Sequence, residues 1–146
     1  MLDISEKLEP SQVREIWRSE RLGNSYSPAV HHEGAIYGFG GGHLTCVNAT
    51  TGEVLWRHAM GDGSLVRVDD HLVVMAAMRG QLHLVAARPD AYQETAATLT
   101  VFPPGNHSPT PPSAGAGRIF LRGKSEMVVV RLVGASPPVQ ETRLDR

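Results

Sequence analysis

The 146 residues predict an all-β fold made of repeated four-stranded antiparallel units. Three observations carry this. From Ser27 onward, short β-branched or aromatic runs alternate with Gly, Asp and Pro, the pattern of strands and tight turns rather than of helices. A strand-turn-strand plan recurs with Ile36, Leu72 and Ile119 in matching places, at spacings of 36 and 47 residues, the range of β-propeller blades. An aromatic-plus-arginine ending at Trp17-Arg18 recurs at Trp56-Arg57.

In chain order, residues 1–12 form a polar tail with a weak Leu2, Ile4, Leu8 pattern, and residues 13–146 form the repeat region. Residues 13–18 end in Trp17-Arg18 and are expected to be the outer strand of a preceding blade. The first full blade spans 27–57: Ser27–Val30, a turn over His31-His32-Glu33-Gly34, Ala35–Phe39, Leu44–Val47, and an outer strand Glu53–Arg57. The second spans 64–96: Ser64–Val68, the turn Asp69-Asp70, His71–Met75, Gln81–Val85, and an outer strand Tyr92–Ala96. The third spans 110–144: Thr110–Ser113, a turn over Ala114–Gly117, Arg118–Arg122, Glu126–Val130, and a last strand Gln140–Arg143. Gly34, Gly52 and Gly117 fall at turns where positive φ is expected. Leu82–Val85 and Met127–Val130 are apolar on nearly every residue, so both faces of these strands are expected to be covered, as in sheets stacked face to face.

Composition bounds the function. Hydrophobic residues at 41% and charged residues at 20% describe a globular chain rather than a disordered one. A net charge of −1 lacks the positive field on which nucleic-acid affinity depends, so nucleic acid is not an expected partner. The single Cys46 excludes a disulfide framework and reads as a buried thiol. No window approaches the ~18 apolar residues of a membrane span, and Met1–Lys7 is too polar for a signal peptide.

The run Cys46-Val47-Asn48-Ala49-Thr50-Thr51-Gly52-Glu53-Val54-Leu55-Trp56-Arg57, preceded by Ser27–Val30 and Gly34-Ala35-Ile36-Tyr37-Gly38, resembles the repeat of PQQ-like (pyrroloquinoline-quinone-type) β-propellers. That group includes quinoprotein dehydrogenases and the outer-membrane assembly lipoprotein. The likeness covers about residues 13–132 and weakens from the first copy to the third. It implies that Thr51-Gly52 turns between the third and outer strands and that Trp56 and Trp17 dock on neighbouring blades. Asn48 stands where the family usually has Asp, and neither later copy carries a Thr-Gly-x-x-x-Trp segment. The resemblance places a parent chain in the periplasm or among exported bacterial proteins, while the compartment stays open. Enzymatic members hold the quinone with calcium and, in several cases, a vicinal disulfide. One cysteine cannot form that disulfide, and the sequence has no carboxylate cluster at calcium-ligand spacing, so no cofactor is expected.

The resemblance also implies that loops between second and third strands, and between blades, line the mouth of a central channel. Those loops carry Arg21, Asn24, Tyr26, His43, His58, Asp62, Arg79, His107 and Lys124, a mixed-charge rim suited to a small anion, a sugar or a peptide. His31, His32 and His71 fall at the opposite end, which separates the histidines too widely for a metal site. Gly38–Gly42 joins two antiparallel strands with no helix start, unlike a phosphate cradle, and Gly23-Asn24-Ser25-Tyr26-Ser27 misses the nucleophile-elbow pattern. Asn48-Ala49-Thr50 and Asn106-His107-Ser108 match the glycosylation sequon. The proline-rich stretch 101–112 reads as an inter-blade connection, with a polyproline ligand as the alternative.

Known rings use about four to eight blades, so three blades leave an arc with two apolar faces open. The expected function is a non-enzymatic scaffold or protein-interaction module that closes its ring by homo-oligomerisation, two copies giving the simplest closed form, or that belongs to a longer chain. Two alternatives stand beside it: a quinone-binding portion of an oxidoreductase, and a small multimeric sugar-binding propeller.

Overall fold

The computed structural model describes residues 14–23, 27–96, 98–103, 105–106 and 110–132. These form three antiparallel sheets, none of them closed, each with its strands in sequential order. Sheet I contains β1 (Val30–His32), β2 (Ala35–Gly40), β3 (His43–Asn48) and β4 (Val54–Ala59). Sheet II contains β5 (Gly63–Val68), β6 (His71–Ala76), β7 (Gln81–Ala86) and β8 (Leu99–Thr100). Sheet III contains β9 (Ser113–Gly115), β10 (Arg118–Arg122) and β11 (Met127–Arg131). No helix among the described residues is long and apolar enough to cross a membrane.

The turns follow from local chemistry. His32 pairs with Ala35, leaving only Glu33-Gly34 in the hairpin, at φ 45° and 77°. Positive φ at both central positions matches the right-handed twist of the flanking strands. His31 and His32 are therefore strand residues, not part of a four-residue turn. Ala116-Gly117, at φ 50° and 68°, does the same between β9 and β10. The fourth strand of sheet II, expected over Tyr92–Ala96, is split. Glu94 bridges to Val85, the chain leaves the sheet, and β8 returns to pair Leu99 with Leu82. A 3₁₀ turn, Ala77–Arg79, fills the β6–β7 connection. Arg14–Ser19 are in no strand, and the expected tail 1–12, Val13 and the last strand Gln140–Arg143 lie outside the described residues.

Packing runs sheet on sheet. Alternation along β2 and β3 sends Ala35, Tyr37, Phe39, Leu44 and Cys46 to one face, where they meet Leu65, Leu72, Val74 and Val85 of sheet II. The opposite row of sheet II, Val73, Met75 and Leu82, meets Ile119 and Leu121 of sheet III, with Phe102 from the linker. Strand β6 is thus buried on both faces: Leu72, Val73, Val74 and Met75 are each at most 1% exposed. At about 1.5–3 kcal/mol per fully buried side chain, this one strand anchors both interfaces.

The two outer faces differ. Over sheet I, Leu22 and Ala29 fill the space above Gly38, the Arg21 carbonyl sits over Gly40, and Thr45 and Val47 are fully buried. The expectation of an open face there does not hold. On sheet III, Met127 and Val129 are 65% and 51% exposed. The expectation that both faces of this strand are covered fails at these two residues, because no sheet follows sheet III among the described residues.

Candidate functional site: indole docking and the seam between sheets I and II

The turn between β3 and β4 is built by Asn48. Its Oδ1 accepts the backbone N–H groups of Thr50 at 2.8 Å and Thr51 at 3.0 Å, and its carbonyl accepts Gly52 N–H at 2.8 Å. An amide oxygen satisfies these donors as a carboxylate does. Gly52 adopts φ 75°, and a Cβ there would lie 2.8 Å from Trp17 Cδ2. The glycine therefore serves two ends at once, a left-handed turn and a flat seat for an indole. Trp17 completes the contact by donating Nε1–H to the Ala49 carbonyl at 2.9 Å.

The same contact recurs one sheet later. Trp56 Nε1–H donates to the Arg88 carbonyl, again at 2.9 Å and again 32 residues ahead in sequence. The receiving turns are anchored alike, since Ala49 N–H bonds to Gly34 O and Ala87 N–H to Asp70 O, each at 2.9 Å. The second turn has no Thr-Gly pair. Arg88-Pro89-Asp90 replaces it, held by a two-pronged Arg88–Asp90 ion pair at 3.1 and 3.0 Å.

Around Trp56 lies a seam of aromatic and titratable side chains. Tyr37 and Tyr92 flank the indole, each with ring centroids 5.9 Å from it, and Tyr92 stacks on His58 at 3.7 Å. Tyr92 Oη donates to Glu94 at 3.1 Å, Thr98 Oγ1 donates to it at 2.8 Å, and His83 Nδ1 lies 2.9 Å from it. With a carboxylate as partner, Nδ1 carries the proton. Burial pushes the Glu94 carboxyl up, but Thr98, His83 and Tyr92 together hold it below its ordinary value. Burial also pushes the Tyr92 and Tyr37 hydroxyls up, and raises the Cys46 thiol to about 11 against the pull of Tyr37. His83 Nε2 is closed to solvent and has no hydrogen-bond partner among the described residues, while the Glu94–His83 contact ties the seam together.

The rim residues named from sequence are placed as follows. His43 begins β3, with Nδ1 2.7 Å from the Gly41 carbonyl. His58 is near the end of β4 and is engaged with Tyr92. Asp62 precedes β5 and accepts Ala77 N–H through its backbone carbonyl, Arg79 ends the 3₁₀ turn, and Arg21 lies in the segment over sheet I. Lys124 N–H donates to Asn106 Oδ1 at 2.7 Å. Asn24, Tyr26 and His107 lie outside the described residues. Among the described residues, no hydrogen bond or ion pair joins any two of these rim side chains. His83, Glu94 and Tyr92 were not singled out from sequence, and only the lone histidine within an apolar strand signalled them.

A cleft of about 160 Å³ opens between β7, β8 and the end of β11, lined by Val73, Leu82, His83, Leu84, Leu99 and Val130 among others. None of the rim residues lines it. No group of three or more His, Cys, Asp or Glu side chains among the described residues is arranged to hold a metal ion. The chain matches no protein-family model and no curated protein.

Proposed function

We propose that the chain is a run of about three blades of a PQQ-like β-propeller, acting as a non-enzymatic scaffold that binds other proteins, copies of itself included, through the open face of sheet III. The recurring indole contact carries this reading. Trp17 to Ala49 and Trp56 to Arg88 share donor atom, acceptor type, distance and sequence separation. Sheets I and II are therefore received in the same way by whatever precedes them, as modules stacked in series are. The burial of both faces of β6 supports the same arrangement, because a middle blade is covered on each side. Exposed Met127 and Val129, on a strand with an unpaired edge among the described residues, supply the apolar surface through which such a module associates.

A thermal-shift titration with pyrroloquinoline quinone and calcium tests the non-enzymatic half of the proposal. No stabilisation is expected. A saturable rise in melting temperature, as a ligand specific for the folded state produces, would overturn it in favour of a quinoprotein.

A further inference from the structure

We propose that the Arg14–Ser19 segment of one copy forms the fourth strand of sheet III in a second copy, so that chains join end to end along β11. This rests on the self-associating scaffold reading above and names the surface and the partner.

Two incomplete features of the structure complement each other. Trp56 reaches Arg88 from β4, a strand paired to β3. Trp17 reaches Ala49 with the same bond, yet Arg14–Ser19 pairs with no strand among the described residues, and Ile16 is 83% exposed. Here is the contact of an outer strand without a sheet behind it. Sheet III is the converse, with β10 on one side of β11 and, among the described residues, no strand on the other.

The correspondence holds residue by residue. Cys46 lies opposite Tyr37, Leu84 opposite Val73, and Val129 opposite Phe120. One step along, Leu44 pairs with Phe39, Leu82 with Met75, and Met127 with Arg122. In sheets I and II these positions lie beneath the next sheet, Leu44 and Cys46 at 0% exposure and Leu82 at 7%. In sheet III, Met127 and Val129 keep the apolar character without the cover.

Register follows from sheet I, where Trp56 lies opposite Cys46 and His58 opposite Leu44. Carried over, Trp17 of the donating copy lies opposite Val129 and Ser19 opposite Met127. The segment lying over sheet I of that copy, Leu22 and Ala29 included, is thereby brought toward Phe120, Met127 and Val129. Within one chain Trp56 likewise ties sheet I to sheet II.

Mixing a Ser19→Cys chain with a Met127→Cys chain under mild oxidation tests the pairing between copies directly. The buried Cys46 thiol, raised to about 11, stays silent at neutral pH. A disulfide-linked heterodimer is expected to take up most of the mixture, and to fall at least tenfold when Val129→Glu is added to the Met127→Cys chain. Association by light scattering without that heterodimer overturns strand donation and leaves the scaffold reading standing. Monomers without the heterodimer overturn both.

Discussion

The indole of Trp56 donates to the carbonyl oxygen of Arg88 at 2.9 Å, tying the outer strand of sheet I to the turn that follows β7 in sheet II. Trp56 is only 9% exposed and its bond to the Arg88 carbonyl is partly buried. Trp56→Phe is expected to cost about 1–3 kcal/mol in urea unfolding. Trp17→Phe breaks the same bond at a more open site and is expected to cost about half as much. The reverse order would contradict the burial argument.

Gly52 and Gly34 separate backbone strain from collision. Both are left-handed, at φ 75° and 77°, but a Cβ at Gly34 meets nothing within 4 Å while one at Gly52 meets the Trp17 ring at 2.8 Å. Gly34→Ala is expected to cost about 1 kcal/mol. Gly52→Ala adds displacement of the indole, so it is expected to cost at least twice as much and to red-shift Trp17 fluorescence. Equal costs would mean that Trp17 does not rest on Gly52.

Glu94 accepts from three side chains and has its carboxyl held below the ordinary value. A carboxyl lowered in the folded state contributes stability above its unfolded value, about 4.3, and loses it as pH falls through the folded one. Glu94→Gln is expected to lower stability at pH 7 and to flatten the fall on acidification, read from urea midpoints at several pH values. An unchanged acid limb would remove Glu94 from the seam's energetics.

Cys46 makes the opposite, alkaline prediction. Its thiol rises from 9.0 to about 11 in the folded chain, chiefly through burial. Below pH 9 the thiol is neutral in both states and costs nothing. Between about 9 and 11 only the unfolded chain ionises, so stability falls, by up to about 3 kcal/mol. Cys46→Ala is expected to remove that part of the alkaline slope, leaving the part due to tyrosines. No change in slope would place the thiol in water.

Strand β10 spans Arg118–Arg122, the bounds its apolar alternation predicts, and β2, β3, β6 and β7 lie within a residue of theirs. These strands carry their own signal because a buried row must repeat every second residue. The outer strand of sheet II was less legible. Its middle is a single bridge at Glu94, and its pairing resumes at Leu99, since an edge strand takes its course from partners distant in sequence. The seam was harder still. His83 and Glu94 are eleven residues apart, and only the hairpin register sets them 2.9 Å from each other. By contrast, the Thr51-Gly52 turn and the docking of Trp17 and Trp56 were legible through the resemblance, and the Trp-Arg ending is written twice in the chain, at Trp17-Arg18 and Trp56-Arg57.

The central claim is that the open face of sheet III binds a second copy, and native mass spectrometry over a concentration series tests it most directly. The account predicts a closed multiple of the 15.8 kDa chain, reduced to a folded monomer by Val129→Glu. A folded 15.8 kDa monomer at every concentration would contradict it.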